Sequence, residues 1–184
     1  MSISSLINNL CSLSKTIKSL TKIFYITNYI NKNIKVIMFY FPVKAYQENI
    51  IELVKNLKKK NYLIILAYNF FSASEIKKSQ NSYFVDFGYL KFIPFKKIFL
   101  KNINFFLSAY LSYIYPPNSK NVYISHDIYD APMINKKMEK KMFLRINRLD
   151  YIFVASEVSK KYFKNKLIKF NNNIKPKIIN TGYL

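Results

Sequence analysis

The sequence is poor in the residue types that build the commonest metal and nucleotide sites. Among its 184 residues it has one cysteine, Cys11, one histidine, His126, and two glycines. A lone cysteine excludes an internal disulfide and a thiolate metal cage, and a lone histidine excludes a histidine-rich metal site. Two glycines are too few for a glycine-rich phosphate-binding loop. We therefore expect no metal site and no cofactor in this chain.

Acidic residues are also scarce. Asp and Glu total 9 against 30 Lys and Arg, which gives a formal net charge of +21. Such a charge favours anionic partners, namely nucleic acid, an anionic membrane surface or an anionic polymer, although an AT-rich genome would enrich lysine in any protein. Hydrophobic residues make up 51% of the chain, so a packed core is expected. The α/β pattern described below disfavours a specific nucleic-acid partner.

Long apolar runs are absent from the sequence. No stretch reaches the roughly 18 consecutive apolar residues of a transmembrane helix. The N-terminus also lacks the basic start and continuous apolar stretch of a secretory signal. With the lone cysteine, these absences suit a reducing cytoplasm. We expect a cytoplasmic protein, with the inner face of the cell membrane as a place where it could bind peripherally.

Residues 1–34 have the pattern of an amphipathic helix. Apolar residues recur there at spacings of three and four, which places them on one stripe of a helix. The stripe consists of Ile3, Leu6, Leu10, Leu13, Ile17, Leu20 and Phe24. Lys15, Lys18 and Lys22 follow one another on a different face. Two interpretations stay open: the helix lies on an anionic membrane, or it packs on the domain behind it or on a partner helix.

Residues 35–184 alternate between strand and helix patterns. The run Val36–Phe41 ends at Pro42, a helical pattern covers Tyr46–Asn61, and Tyr62–Tyr68 is again a continuous apolar run. A short strand and turn are predicted at 85–88, further strands at 104–109, 122–125, 149–155 and from 178, and further helices at 133–147 and from 157 to about 165. Such alternation predicts a Rossmann-like α/β fold with a doubly wound parallel sheet.

The sequence after the strand Val122–Ser125 contains the best candidate for chemistry. His126 follows that strand directly, and in open parallel sheets the ligand crevice lies beyond the carboxyl ends of the strands. A histidine there can act as a general base near neutral pH, and a carboxylate from Asp127 or Asp130 could orient its ring. The alternative is a solvated loop histidine.

A weaker candidate is Ser156, at the junction between a predicted strand and the helix that begins at Glu157. Its hydroxyl is predicted to cap the helix, and the backbone amides behind it could bind an anion. We therefore take His126 and Asp127 as candidate catalytic residues, and Asp130 and Ser156 as candidate substrate-binding residues.

Most of residues 36–184 resembles the N-terminal domain of the CDP-glycerol glycerophosphotransferases, a family that makes teichoic-acid and capsule polymers. The similar segments, in chain order, are Phe39–Pro42, Leu63–Tyr68, Val122–Asp127, Asp150–Glu157, Lys161–Phe163 and Ile179–Tyr183. The resemblance implies a GT-B-like fold of two Rossmann-like domains with the active site between them.

The resemblance also implies a reaction. The family transfers glycerol phosphate from CDP-glycerol to a hydroxyl of a lipid-linked polymer, and CDP-ribitol or a nucleotide sugar are alternative donors. The family's catalytic histidine corresponds to His126, but the glycine that usually follows it is replaced here by Asp127. The sequence ends at Leu184, before the family's donor-binding domain, so this polypeptide alone is expected to have little activity. The alternative function is a non-catalytic basic module that docks on an anionic membrane or a partner subunit.

Overall fold

The protein has an α/β fold in which helices pack on a seven-stranded, fully parallel sheet. The computed structural model describes residues 3–30, 33–41, 53–57, 60–69, 81–86, 88–94, 96–109, 111, 115–125 and 136–182. This architecture is Rossmann-like and confirms the fold class that the sequence predicts.

The strands and helices of the described residues have the following bounds. The strands are β1 Lys35–Phe41, β2 Tyr62–Tyr68, β3 Ser82–Phe84, β4 Phe105–Ser108, β5 Lys120–Ile124, β6 Tyr151–Val154 and β7 Lys177–Asn180. The helices are α1 Ile3–Tyr25, continued by a π-helical turn Ile26–Ile30, then α2 Lys96–Phe99, α3 Lys136–Ile146 and α4 Glu157–Phe170. Residues 53–57 are also helical, and Tyr89–Phe92 form a 3-10 turn.

The order of strands across the sheet is β3-β2-β1-β4-β5-β6-β7, and every neighbouring pair is parallel. Successive strands are therefore added on one side of β1 as far as β3, and on the other side from β4 onward. The direction of winding reverses between β1 and β4, and this is the topological switch point of the fold. Strands β1 and β2 are buried along almost their whole length, which explains their continuous apolar sequences.

Helical residues pack on both faces of the sheet. On one face, α1 and residues 85–103 pack over β1, β2 and β4, while α3 and α4 pack over β5 and β6. Tyr115 joins these two groups, since its ring contacts Phe106 edge-on at 5.8 Å between centroids. On the other face, helical residues 53–57 pack against β1, β2, β4 and β5.

Several predicted bounds differ from those of the structure by one or more residues, and two of these differences have a physical cause. The third strand is Ser82–Phe84, ahead of the predicted strand and turn at 85–88, and the turn itself is present: the Asp86 carboxylate accepts the N–H of Gly88 at 2.8 Å, and the N–H of Asp86 binds α1. Helix α4 continues past residue 165 to Phe170, because Leu167 is fully buried and anchors another turn. The helix ends where the Asn171 backbone and side-chain N–H groups both donate to the Leu167 carbonyl.

Helix α1 packs on the sheet through only part of the predicted apolar stripe: Leu20 is fully buried and Leu13 packs against the same core cluster. Its buried face contains Leu20 and Ile23 together with Thr16 and Thr27, all at most 2% exposed. Of the predicted stripe, Leu10 and Ile17 are exposed, while Leu13 and Phe24 are partly buried. The threonines can be buried because their hydroxyls are hydrogen-bonded: Thr16 accepts the Asp86 N–H at 3.1 Å, and Thr27 donates to the Ile23 carbonyl at 2.9 Å.

Candidate functional site

The carboxyl ends of the strands form one edge of the sheet. The last residues are Phe41 in β1, Ser108 in β4, Ile124 in β5, Val154 in β6 and Asn180 in β7. Ligands of open parallel sheets bind beyond this edge, at the switch point between β1 and β4. Strand β5 is the next neighbour of β4, so its carboxyl end borders that crevice.

Two buried serines lie at this edge, beside the switch point. Ser108 is 2% exposed, and its hydroxyl donates to the Tyr40 carbonyl across the β1–β4 pair at 3.3 Å. Ser125 is 6% exposed and follows β5, where its N–H donates to the Phe153 carbonyl at 2.9 Å. Sequence reasoning did not select either serine for the site. Their common signal is a small polar residue that ends an apolar strand.

The described residues do not include His126, Asp127 or Asp130. Of the four predicted site residues, Ser156 is therefore the one whose surroundings the structure gives. Ser125 is the last described residue before this segment. The roles of His126, Asp127 and Asp130 stay predictions.

Ser156 caps α4, as predicted. Its backbone is extended, and its hydroxyl oxygen accepts the N–H of Ser159 at 3.1 Å. The first turn of the helix also carries Glu157, whose carboxylate accepts hydrogen bonds from the Asn180 side chain at 3.1 Å and from Lys160 at 3.3 Å. These hydrogen bonds, that of Asn180 first, hold the pKa of the Glu157 carboxyl below its usual value. A permanent negative charge thus occupies the positive end of the helix dipole.

The segment after β7 continues the pairing with β6 and then turns at Gly182. Thr181 donates its backbone N–H to the Val154 carbonyl at 2.9 Å, which extends the β6–β7 pairing. Gly182 has φ +69°, a left-handed conformation that side chains other than hydrogen rarely adopt. Its N–H donates to the Asn180 side-chain oxygen at 3.1 Å. Asn180 therefore links the turn at Gly182 to Glu157 at the start of α4.

A polar cavity lies at the opposite, amino edge of the sheet. It has a volume of about 370 Å³ and is lined by asparagines, Lys35 and Lys101. Three asparagine side chains there hold the surrounding backbone or each other: Asn104 accepts the Val36 N–H, Asn118 donates to the Lys101 carbonyl, and Asn102 donates to Asn28. Because these amides are used internally, the cavity is a weaker candidate for substrate than the carboxyl edge.

The described part of the chain has neither a helix that could span a membrane nor a metal-binding cluster. No helix there combines the length and apolarity needed to cross a membrane. Among those same residues, no three His, Cys, Asp or Glu side chains lie together in a way that could hold a metal ion.

The chain was compared with known proteins. No protein-family model matches it, and no curated protein or solved structure matches it significantly.

Proposed function

We propose that this chain is the acceptor-side half of a GT-B-like transferase that activates a hydroxyl at the carboxyl edge of its sheet. The donor is CDP-glycerol or a related cytidine-diphosphate alcohol, the acceptor is a lipid-linked polymer, and a second, donor-binding domain completes the site. The supporting observation is the sheet order, in which β5 ends beside the switch point and is followed by Ser125 and then His126.

In the proposed reaction His126 acts as a general base. It accepts the proton of the acceptor hydroxyl as that oxygen attacks the phosphorus that bears glycerol. The bond from this phosphorus to the bridging oxygen breaks, and CMP leaves with the electron pair. An alcohol is a poor nucleophile, and a positioned base contributes about 100- to 10,000-fold. Asp127 or Asp130 stabilises the imidazolium that forms.

The neighbouring described residues support such a role. Ser125, which precedes His126 in the sequence, is held by the β5–β6 pairing. The Ser156 hydroxyl is engaged within its own helix turn and Glu157 is hydrogen-bonded to Asn180 of β7, so we propose no direct phosphate contact for the Ser156 hydroxyl. At this junction an acceptor hydroxyl is a better ligand than a phosphate, because the Glu157 carboxylate repels anions.

The test measures CMP release from CDP-glycerol with a lipid-linked acceptor, after adding a donor-binding domain to the chain. His126→Ala is expected to lower the rate about 100-fold or more. Lys161→Ala changes an exposed residue of α4 and serves as the control, for which an unchanged rate is expected. Undiminished turnover by His126→Ala would remove this histidine from the mechanism. Asp127→Asn and Asp130→Asn, compared separately, identify the carboxylate that assists it.

A further inference from the structure

Helix α1 turns a second, exposed stripe away from the sheet. We call it the outer stripe, and its members recur at spacings of three and four residues. The outer stripe consists of Ile7, Leu10, Ser14, Ile17, Thr21 and Tyr25, all of them exposed. Ile7 and Leu10 are 59% and 58% exposed, which is unusual for large aliphatic side chains on a helix that also packs on a core.

Basic residues border the outer stripe. Lys15, Lys18 and Lys22 are exposed and follow one another along one side of it. Helix α1 itself contains no acidic residue, since the first Asp or Glu of the sequence is Glu48. A mainly apolar stripe on a helix whose charged residues are all lysines is complementary to a surface that is apolar inside and anionic at its boundary. The interface of an anionic bilayer has this composition.

Exposed tyrosines follow at the end of the helix. The rings of Tyr25 and Tyr29 lie 5.5 Å apart between centroids, and these side chains are 56% and 62% exposed. Tyrosine favours the level of lipid headgroups, because its ring is apolar and its hydroxyl stays hydrated. The pair therefore continues the outer stripe with side chains suited to the same boundary.

The packing of the inner face of α1 on the sheet determines that the outer stripe faces solvent. Leu20 and Ile23 are fully buried, and Asn9 near the start of the helix accepts a hydrogen bond from the Tyr89 hydroxyl at 2.6 Å. The helix begins near residues that follow β3 and ends near Asn102, which precedes β4. It thus runs from the carboxyl edge of the sheet to the amino edge, with the outer stripe outward along its whole length.

We propose that the outer stripe binds the surface of an anionic phospholipid bilayer. The side chains of Ile7, Leu10 and Ile17 insert below the headgroups, and Lys18 and Lys22 contact the phosphates. A second copy of the chain is a poorer occupant, because pairing two outer stripes would bring two sets of lysines together without an acidic side chain between them. This inference does not rest on the proposed function.

The first experiment is flotation of the full chain with vesicles of phosphatidylcholine alone, or of phosphatidylcholine and phosphatidylglycerol in equal parts. Binding to the anionic vesicles is expected to be tighter by about tenfold or more. Replacing Ile7, Leu10 and Ile17 together by serine is expected to weaken that binding about tenfold or more. The matched control, Val158→Ser with Ile168→Ser, removes aliphatic side chains that are 67% and 55% exposed on α4, and should bind as the native chain does.

A second variant pair tests the lysines without touching the apolar residues. Lys18→Gln with Lys22→Gln is expected to weaken binding to the anionic vesicles about tenfold. Lys161→Gln with Lys164→Gln removes the same charge from exposed positions of α4 and should have a much smaller effect. Equal losses from both pairs would mean that net charge alone drives binding, and would overturn the proposal.

Two other outcomes would also overturn it. One is binding of the native chain that does not differ between the two vesicle compositions. The other is a dimer, seen by light scattering without lipid, that dissociates when Ile7, Leu10 and Ile17 are replaced, because the outer stripe would then be an interface between copies. If the triple variant fails to fold by circular dichroism, the lysine pair still decides the question.

Discussion

Thr16 is a fully buried polar residue of α1, and the contribution of its hydroxyl to the stability of the fold can be predicted. Its side-chain oxygen accepts the backbone N–H of Asp86, 70 residues away, at 3.1 Å. Thr16→Val keeps the shape but leaves that N–H without this acceptor, which is expected to lower the free energy of unfolding by about 1–3 kcal/mol. Urea unfolding followed by circular dichroism measures the change.

The control for Thr16 lies on the same helix. Thr21 is exposed, and its hydroxyl donates to the carbonyl of Ile17 within α1. Thr21→Val is therefore expected to change the free energy of unfolding by less than about 0.5 kcal/mol. If the two valine variants are equally stable, the hydrogen bond from Asp86 does not contribute to holding α1 on the sheet.

In the candidate site, a contact between neighbouring residues could be predicted from the sequence, but a contact between distant segments could not. Ser156 could be predicted as a helix cap because capping depends on a few neighbouring residues, and the structure confirms it. The hydrogen bond from Asn180 to Glu157 could not be predicted, because it joins the end of β7 to the start of α4, and the sequence does not state that β7 lies beside β6. His126 stays a prediction based on its place after β5.

At the scale of elements, β1 and β2 were predictable because strands buried on both faces are continuous apolar runs. The buried face of α1 could not be predicted in full, because a pattern of apolar residues leaves out the buried threonines. Thr16 and Thr27 pack inward with satisfied hydroxyls, and the face is rotated toward them and away from Leu10 and Ile17. The same rotation is what leaves the outer stripe exposed.

Helix α4 is longer than its sequence pattern indicates, and the contribution of its last turn to stability can be tested at Leu167. Leu167 is fully buried against α3 and β6, whereas its neighbour Ile168 is 55% exposed. Leu167→Ala is expected to lower the free energy of unfolding by about 2–5 kcal/mol, because it leaves a cavity in a packed cluster. Ile168→Ala, with the same change in size, is expected to cost less than about 1 kcal/mol. Urea unfolding of both variants tests this, and similar losses would place the end of the helix outside the core.

At the scale of the whole molecule, strand alternation predicts a parallel sheet but not its order. The switch point depends on the connection from β3 to β4, which crosses back over β2 and β1 through residues 85–104. That stretch contains a 3-10 turn and one short helix, so its sequence has no strong period. The crevice beside β4 and β5 therefore follows from tertiary packing, not from local pattern.

Tyr115 connects the two groups of residues packed on one face of the sheet, so its ionisation should affect the stability of the whole molecule. Burial raises the pKa of its hydroxyl to about 12, an effect that Arg145 partly opposes. A tyrosine that resists ionisation in the folded state contributes stability below its unfolded pKa of about 10, and that contribution is lost as the pH rises toward 12. The free energy of unfolding should therefore fall on raising the pH from 9 to 11.5, by about 2 kcal/mol from this group.

Comparison with Tyr115→Phe isolates this contribution, because deprotonation of the many lysines changes the net charge of both chains alike. The phenylalanine variant keeps the ring that packs on Phe106 but has no hydroxyl to ionise, so its loss of stability between pH 9 and 11.5 should be smaller by about 2 kcal/mol. Tyr29→Phe, at an exposed position, should leave the pH dependence as it is in the native chain. Parallel curves for the native chain and Tyr115→Phe would show that the junction of the two groups opens to solvent before the tyrosine ionises.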